Sequence, residues 1–164
     1  MADFRAQSDF KDFMLKNEIT VSLVANSVSV GNVGGGEDTL KTLTIPRLTL
    51  YKDGVYGHGV AWGKFAANAN SKRVKVKTGS VTLLDSGAGA FNGQSWDVEF
   101  WLMRSGDSAA EGLFLFRSGA TSVRAYPSTV HDFGSDIGIV VTGEGVATDD
   151  VIAKAATLDA TGAK

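Results

Sequence analysis

The side chains in this sequence that could do covalent chemistry are few, and most lack a visible partner. A serine nucleophile needs a base beside it and a donor for the oxyanion. The nearest candidate is Ser95 in Gly93-Gln94-Ser95-Trp96, which lacks the second glycine of a nucleophile elbow and opens a strand rather than a strand-to-helix turn. His58 sits within Tyr56-Gly57-His58-Gly59, and His131 precedes Asp132, so a histidine–carboxylate pair is conceivable at the second. Both histidines are read first as polar groups of a surface or interface. No HxH or HExxH spacing offers a zinc site, and the absence of cysteine removes thiolate ligands, thiol nucleophiles and disulfides together. The carboxylates Glu37-Asp38, Asp97 with Glu99, Glu144 and Asp149-Asp150 fall at turns or on one strand face. A glycosidase pair would require the fold to bring two of them together. Gly34-Gly35-Gly36 and Gly87-Ala88-Gly89 share only glycine content with phosphate-cradling loops, since neither leads from a strand into a helix. Arg73, Lys75 and Lys77 form a basic stripe, read as a solvated strand face or a blunted sheet edge. The expectation is a protein that is not an enzyme and uses no cofactor or metal.

What must position these residues is a set of short strands. The chain has 164 residues, a formal charge of −2 and 43% hydrophobic residues, which suits one self-sufficient domain. The charge balance argues against a nucleic-acid partner, whose binding rests on cationic side chains. Apolar runs such as Gly112 to Phe116 and Ile137 to Val141 are too short to span a membrane. The N-terminus carries acidic residues and no apolar core of a secretory signal. Twenty glycines against two prolines, spread between β-branched runs, predict many turns and strands in an all-β sandwich or barrel.

Residues 3 to 18 alone lack strand character. Phe4, Phe10, Phe13 and Met14 include helical spacings with polar residues between them, so an amphipathic helix with Ser8 as a cap is expected. It would either close one end of the sandwich, fray, or dock on a partner. From Ile19 the period becomes two. Residues 19 to 30 read as one broken strand or two short ones, and a loop over Gly31 to Asp38 leads to a strand ended by Pro46. Residues 47 to 51, the turn Lys52-Asp53-Gly54 and the glycine-bearing strand from Val55 to Ala66 follow. Asn68 to Ser71 form a turn, and a hairpin is centred on Thr78-Gly79. The strongest strand is Ser95 to Arg104, with Trp96, Val98, Phe100 and Leu102 on one face and Asp97, Glu99 and Trp101 on the other. Five more segments bring the total to about eight to ten strands, with a frayed tail from Asp159 to Lys164. Residues 1 to 18 are thus expected as an arm and 19 to 164 as the domain.

Four blocks of residues carry a resemblance. The first runs from Gly31-Asn32-Val33 through Glu37-Asp38-Thr39-Leu40 to Pro46, and the second from Ala61-Trp62-Gly63 to Asn68-Ala69-Asn70-Ser71-Lys72. The third runs from Leu84-Asp85-Ser86-Gly87 through Asn92-Gly93-Gln94-Ser95-Trp96 to Met103-Arg104-Ser105-Gly106. The fourth is Val141-Thr142-Gly143-Glu144-Gly145 with Asp149-Asp150-Val151-Ile152. Over roughly residues 28 to 158 this pattern resembles a family of bacteriophage virion-surface jelly-roll domains, found as capsid decoration (cement) proteins and as head-fibre and tail-fibre tips. The resemblance implies a jelly-roll β-sandwich that assembles as a homotrimer and carries no catalytic residues. Trp62 and Trp96 are expected to fill the space between the sheets, and Gly143 and Gly145 to permit a bend.

The short arm suits a decoration protein bound to the major capsid protein on the outside of a phage head, placed there after synthesis in the host cytoplasm. Phe4, Phe10, Phe13 and Met14 are the capsid-anchoring candidates. The alternatives are a fibre tip that binds a receptor or host surface glycan, and a tail-tube subunit. Trp101 is assigned to a distal surface or, preferentially, to the trimer interface.

Overall fold

The computed structural model describes residues 20–161; the proposed arm, with Phe4, Phe10, Phe13 and Met14, lies outside the described residues. Alternation of apolar and polar side chains sets the strands: β1 (Thr20–Asn26), β2 (Val30–Gly31), β3 (Gly36–Ile45), β4 (Tyr56–Phe65), β5 (Arg73–Thr78) and β6 (Val81–Asp85) in the first half. The second half supplies β7 (Ser95–Arg104), β8 (Ala109–Ser118), β9 (Thr121–Ala125), β10 (Ser128–Val130), β11 (Ile137–Gly145) and β12 (Val151–Thr161). One sheet runs β1-β12-β4-β7-β8-β10, with β2 also beside β12 and β9 also beside β8; the other runs β3-β11-β5-β6. All pairings are antiparallel. The fold is an all-β sandwich.

The inward faces make one core. Trp96, Val98, Phe100 and Leu102 of β7 are buried, as the alternation predicts, against Leu43 and Ile45 of β3, Val74 and Val76 of β5 and Ile139 of β11. Phe100 stacks on Phe114 of β8 with ring centres 5.3 Å apart. Two glycines in β4 serve close approach: a Cβ on Gly59 would lie 2.2 Å from the Phe100 ring, and one on Gly63 would lie 1.9 Å from the Ile152 carbonyl oxygen. The broken first strand is as expected, since β1 and β2 continue one line along β12. The eighth strand's outer edge is likewise covered by two short pieces, β9 and β10, parted at Pro127, which has no N–H to donate.

Several expectations are corrected. Twelve strands are present among the described residues, above the eight to ten expected. Residues 47–51 are not a strand: Thr49 N–H closes a turn on the Pro46 carbonyl, and Leu48 takes a positive φ of 63°. Asp159 to Thr161 are not frayed but pair with both β1 and β4. Strand β5 is interior, between β11 and β6, so its basic stripe blunts no edge. Trp96 lies between the sheets, but Trp62 is on the outer face and 40% exposed, because Ala61, Gly63 and Phe65 take the inward phase of β4. Gly143 and Gly145 make room: added Cβ atoms would lie 2.7 Å from Leu40 and 2.6 Å from Asp150.

Candidate functional site

Three clusters of polar or exposed aromatic side chains stand out, and the strand register builds each one. The first occupies the outer face of the larger sheet. Cross-strand pairing aligns Tyr56 with Met103, His58 with Trp101 and Trp62 with Asp97 between β4 and β7, then Met103 with Glu111, Trp101 with Leu113 and Asp97 with Arg117 between β7 and β8. Trp101, half-buried, points away from Trp96 as predicted and stacks on the His58 ring at 4.8 Å. His58 Nε2 lies 3.1 Å from a Glu99 carboxylate oxygen. Arg117 donates to Asp97 at 2.8 Å and to Glu99 at 2.9 Å, and these two carboxylates, Asp97 first, hold the guanidinium above its usual pKa.

Two open grooves mark this face. A mainly apolar one of about 300 Å³ lies at the Trp101 end, between Tyr56, Trp101, Met103, Glu111 and Leu113. A mixed one of about 390 Å³ lies at the other end, between Trp62, Ser95, Trp96, Asp97, Arg117 and Gly119. Most outward side chains between them are half-buried by their neighbours.

The second cluster covers the outer face of the smaller sheet. Its basic stripe is neutralised from three strands: Lys75 donates to Glu37 and Glu144, Lys77 to Glu37, and Arg73 to Asp85. Hydrogen bonds from Lys75 and then Lys77 lower the Glu37 pKa to about 2 against the opposing effect of burial, with Thr142 adding a further bond. The stripe is therefore a solvated, ion-paired face.

The third cluster is buried where the four sequence blocks converge, at one end of the sandwich. Asp150, 1% exposed, accepts from the Asn68 and Asn70 amides at 2.7 and 3.0 Å and from the backbone N–H groups of Val146 and Ala147 at 2.9 and 2.8 Å. Burial alone would raise its pKa, but these donors, led by Asn68, hold it at about 2. Lys72, fully buried, puts its ammonium within 2.7–2.9 Å of four oxygens: the carbonyls of Asn68, Asn70 and Ala90 and the Asn68 side chain. Asn32, also buried, accepts from Val151 N–H and donates to the carbonyls of Gly34 and Ala147. Four loops are thereby tied together. Because Asp150 titrates at 3.8 when unfolded and about 2 when folded, its contribution is complete above pH 3.8 and disappears as pH falls toward 2. The shift is worth about 2 kcal/mol, and Glu37 acts with the same sign. Denaturant midpoints measured between pH 6 and 2 are expected to stay level to about pH 5 and then fall; a flat profile would contradict the network.

The remaining sequence candidates stay apart. Ser95 starts β7 on the surface, paired with Lys64 of β4, and its carbonyl accepts from the Ser118 hydroxyl. His131 bonds Thr129 at 2.8 Å, and burial lowers its pKa. Asp132 instead accepts from Gly134 N–H and the Ser135 hydroxyl, so the adjacent histidine and carboxylate do not pair. No group of three metal-ligating side chains occurs among the described residues, and no described helix is long and apolar enough to cross a membrane. Sequence reasoning did not single out Lys72, Asp150 or Trp62 for these roles. Trp62 was detectable, because it is out of phase with its inward neighbours.

No family model matches the chain, and neither does any curated protein. Among solved structures, the CBM2 module of the Lactobacillus casei BL23 phage J-1 evolved Dit is similar at a TM-score of 0.38 and 11% identity, over 75% of this chain and 69% of that one. A likeness this shallow carries no argument about ancestry or task, so the function rests on the residues and faces described above.

Proposed function

We propose that the chain is a structural protein of a bacteriophage particle, a trimeric decoration protein seated on the outside of the head, and that it works by assembly rather than catalysis. The observation that carries this reading is the apolar hollow at the Trp101 end of the larger sheet. Tyr56, Trp101, Met103 and Leu113 leave apolar surface open to water there, and Met103 is 40% exposed. Apolar side chains gathered in one hollow suit an interface, and packing of three copies would cover them. Two further features support the reading. Setting β8 to β10 aside, the sheets run β1-β12-β4-β7 and β3-β11-β5-β6, each interleaving strands from both ends of the chain, which is how we read a jelly roll built from two Greek keys. The four blocks that carry the phage resemblance also converge on the buried Asp150–Lys72 network, so they define the scaffold and leave the faces free to bind. On this reading Phe4, Phe10, Phe13 and Met14 anchor each copy to the major capsid protein, and three linked weak contacts give high avidity.

The test is cosedimentation of the purified protein with undecorated heads of the phage that encodes it. Saturation at a multiple of three copies per symmetry site is expected, with the free protein sedimenting at three times the chain mass. Leu113→Asp, which places a charge in the hollow, is expected to give a folded monomer that binds heads at least tenfold more weakly, since avidity is lost. A wild-type monomer, or a protein that ignores heads, would overturn the reading.

A further inference from the structure

The groove at the opposite end of the same face has a different character. One wall is the outward indole of Trp62, 40% exposed beside the small side chain of Ala155 across the pair with β12. The other wall is polar and fixed. Arg117 is clamped through Nε to Asp97 and through Nη2 to Glu99, which leaves Nη1, the second Asp97 oxygen and the Ser95 hydroxyl without partners among the described residues. Trp96 lines the floor, and its buried indole N–H has no acceptor there.

An occupant must offer a flat apolar face to the indole and in-plane donors and acceptors to the polar wall. Polyanions are disfavoured, because two carboxylates already neutralise Arg117 and the chain carries a net −2. An added peptide strand finds no free backbone, since β4 and β7 are paired on both sides. A neutral hexopyranose meets both requirements. Its axial C–H groups carry slight positive charge and suit the negative face of an indole, while its equatorial hydroxyls both donate and accept. We propose that this groove, built on Trp62 and the Asp97–Arg117 pair, binds a neutral hexose unit of a surface polysaccharide. This goes beyond the decoration reading and does not depend on it, because the groove is complete within one copy.

The test is affinity electrophoresis of the native protein through gels containing a soluble β-glucan, a galactomannan or dextran, with heparin as the anionic comparison. Retardation by at least one neutral polysaccharide is expected. Trp62→Ala, at an exposed position, should keep the wild-type melting temperature and head binding yet weaken retardation about tenfold or more. Trp62→Phe should restore part of it, and Arg117→Gln should reduce it. No retardation by any of the three, retardation by heparin alone, or unchanged retardation of the Trp62→Ala protein would overturn the proposal. Loss of head binding in that variant would also overturn it, by placing Trp62 in the assembly contact. Failure of the wild type to bind heads while it still binds polysaccharide would remove the decoration reading and leave this one standing.

Discussion

Replacing Asp150 by alanine is expected to lower stability by roughly 4 kcal/mol, a magnitude typical of breaking a buried charged network. The buried carboxylate is the common acceptor for two side-chain amides and two backbone N–H groups in partly buried bonds. Alanine would deprive all four donors of their shared acceptor. The loss would spread, because Asn68 also accepts from Lys72, whose ammonium needs those same loop oxygens in place. Thermal unfolding followed through the buried Trp96 should show a midpoint lower by on the order of 10 °C. Asp150→Asn should fall between the variant and the wild type, since one amide oxygen can still accept while its NH₂ faces other donors. A change under about 1 kcal/mol would mean that the carboxylate is solvated and the loops are held by other contacts.

Gly63→Ala is expected to be comparably severe for a different reason. The new methyl group would sit 1.9 Å from the Ile152 carbonyl oxygen and 2.7 Å from the Trp96 ring. Since the obstructing atom is backbone, relief requires the β4–β12 ladder to part beside its bulge at Ala153–Ala155. Overpacking at such a site costs roughly 3 kcal/mol. Gly138→Ala in β11 is the control, with nothing within 4 Å of its added Cβ. There the smaller backbone entropy of alanine should leave stability unchanged or raise it by about 0.5 kcal/mol. Urea midpoints of the two variants should therefore move apart. If they moved together, the crowding at Gly63 would not be real.

The strands were legible wherever one face was wet and the other dry. Strand β7 and the hairpin of β5 with β6 follow from alternation alone, because period two is a direct record of which side meets the core. The segment 47–51 has the same apolar content, yet its fate turns on Leu48 adopting a left-handed backbone, which no pattern of types announces. Topology was not legible: nothing in Arg73, Lys75 and Lys77 says that Glu37 and Glu144 will lie beside them, or that their strand will be internal. The same applies to Asp150 and Lys72. Charged residues next to turns are usually hydrated, and their burial depends on amides some 80 positions away for Asp150 and on the distant Ala90 carbonyl for Lys72. Trp62 is the opposite case. Its phase in β4 identified an outward side chain, and the expectation that a large aromatic fills the interior outweighed that signal.

The place of β12 has a consequence for how the molecule is made. The last described strand lies between β1 and β4, two of the earliest described strands. On the ribosome, β4 emerges with one ladder edge bare and β1 without its described ladder partner, and both wait until β12 has been translated. Completion of the larger sheet therefore rests on distant pairings, the kind that closes slowly. Until then the nascent chain carries open strand edges, and these are the surfaces through which unfinished copies, crowded on one message, would associate wrongly.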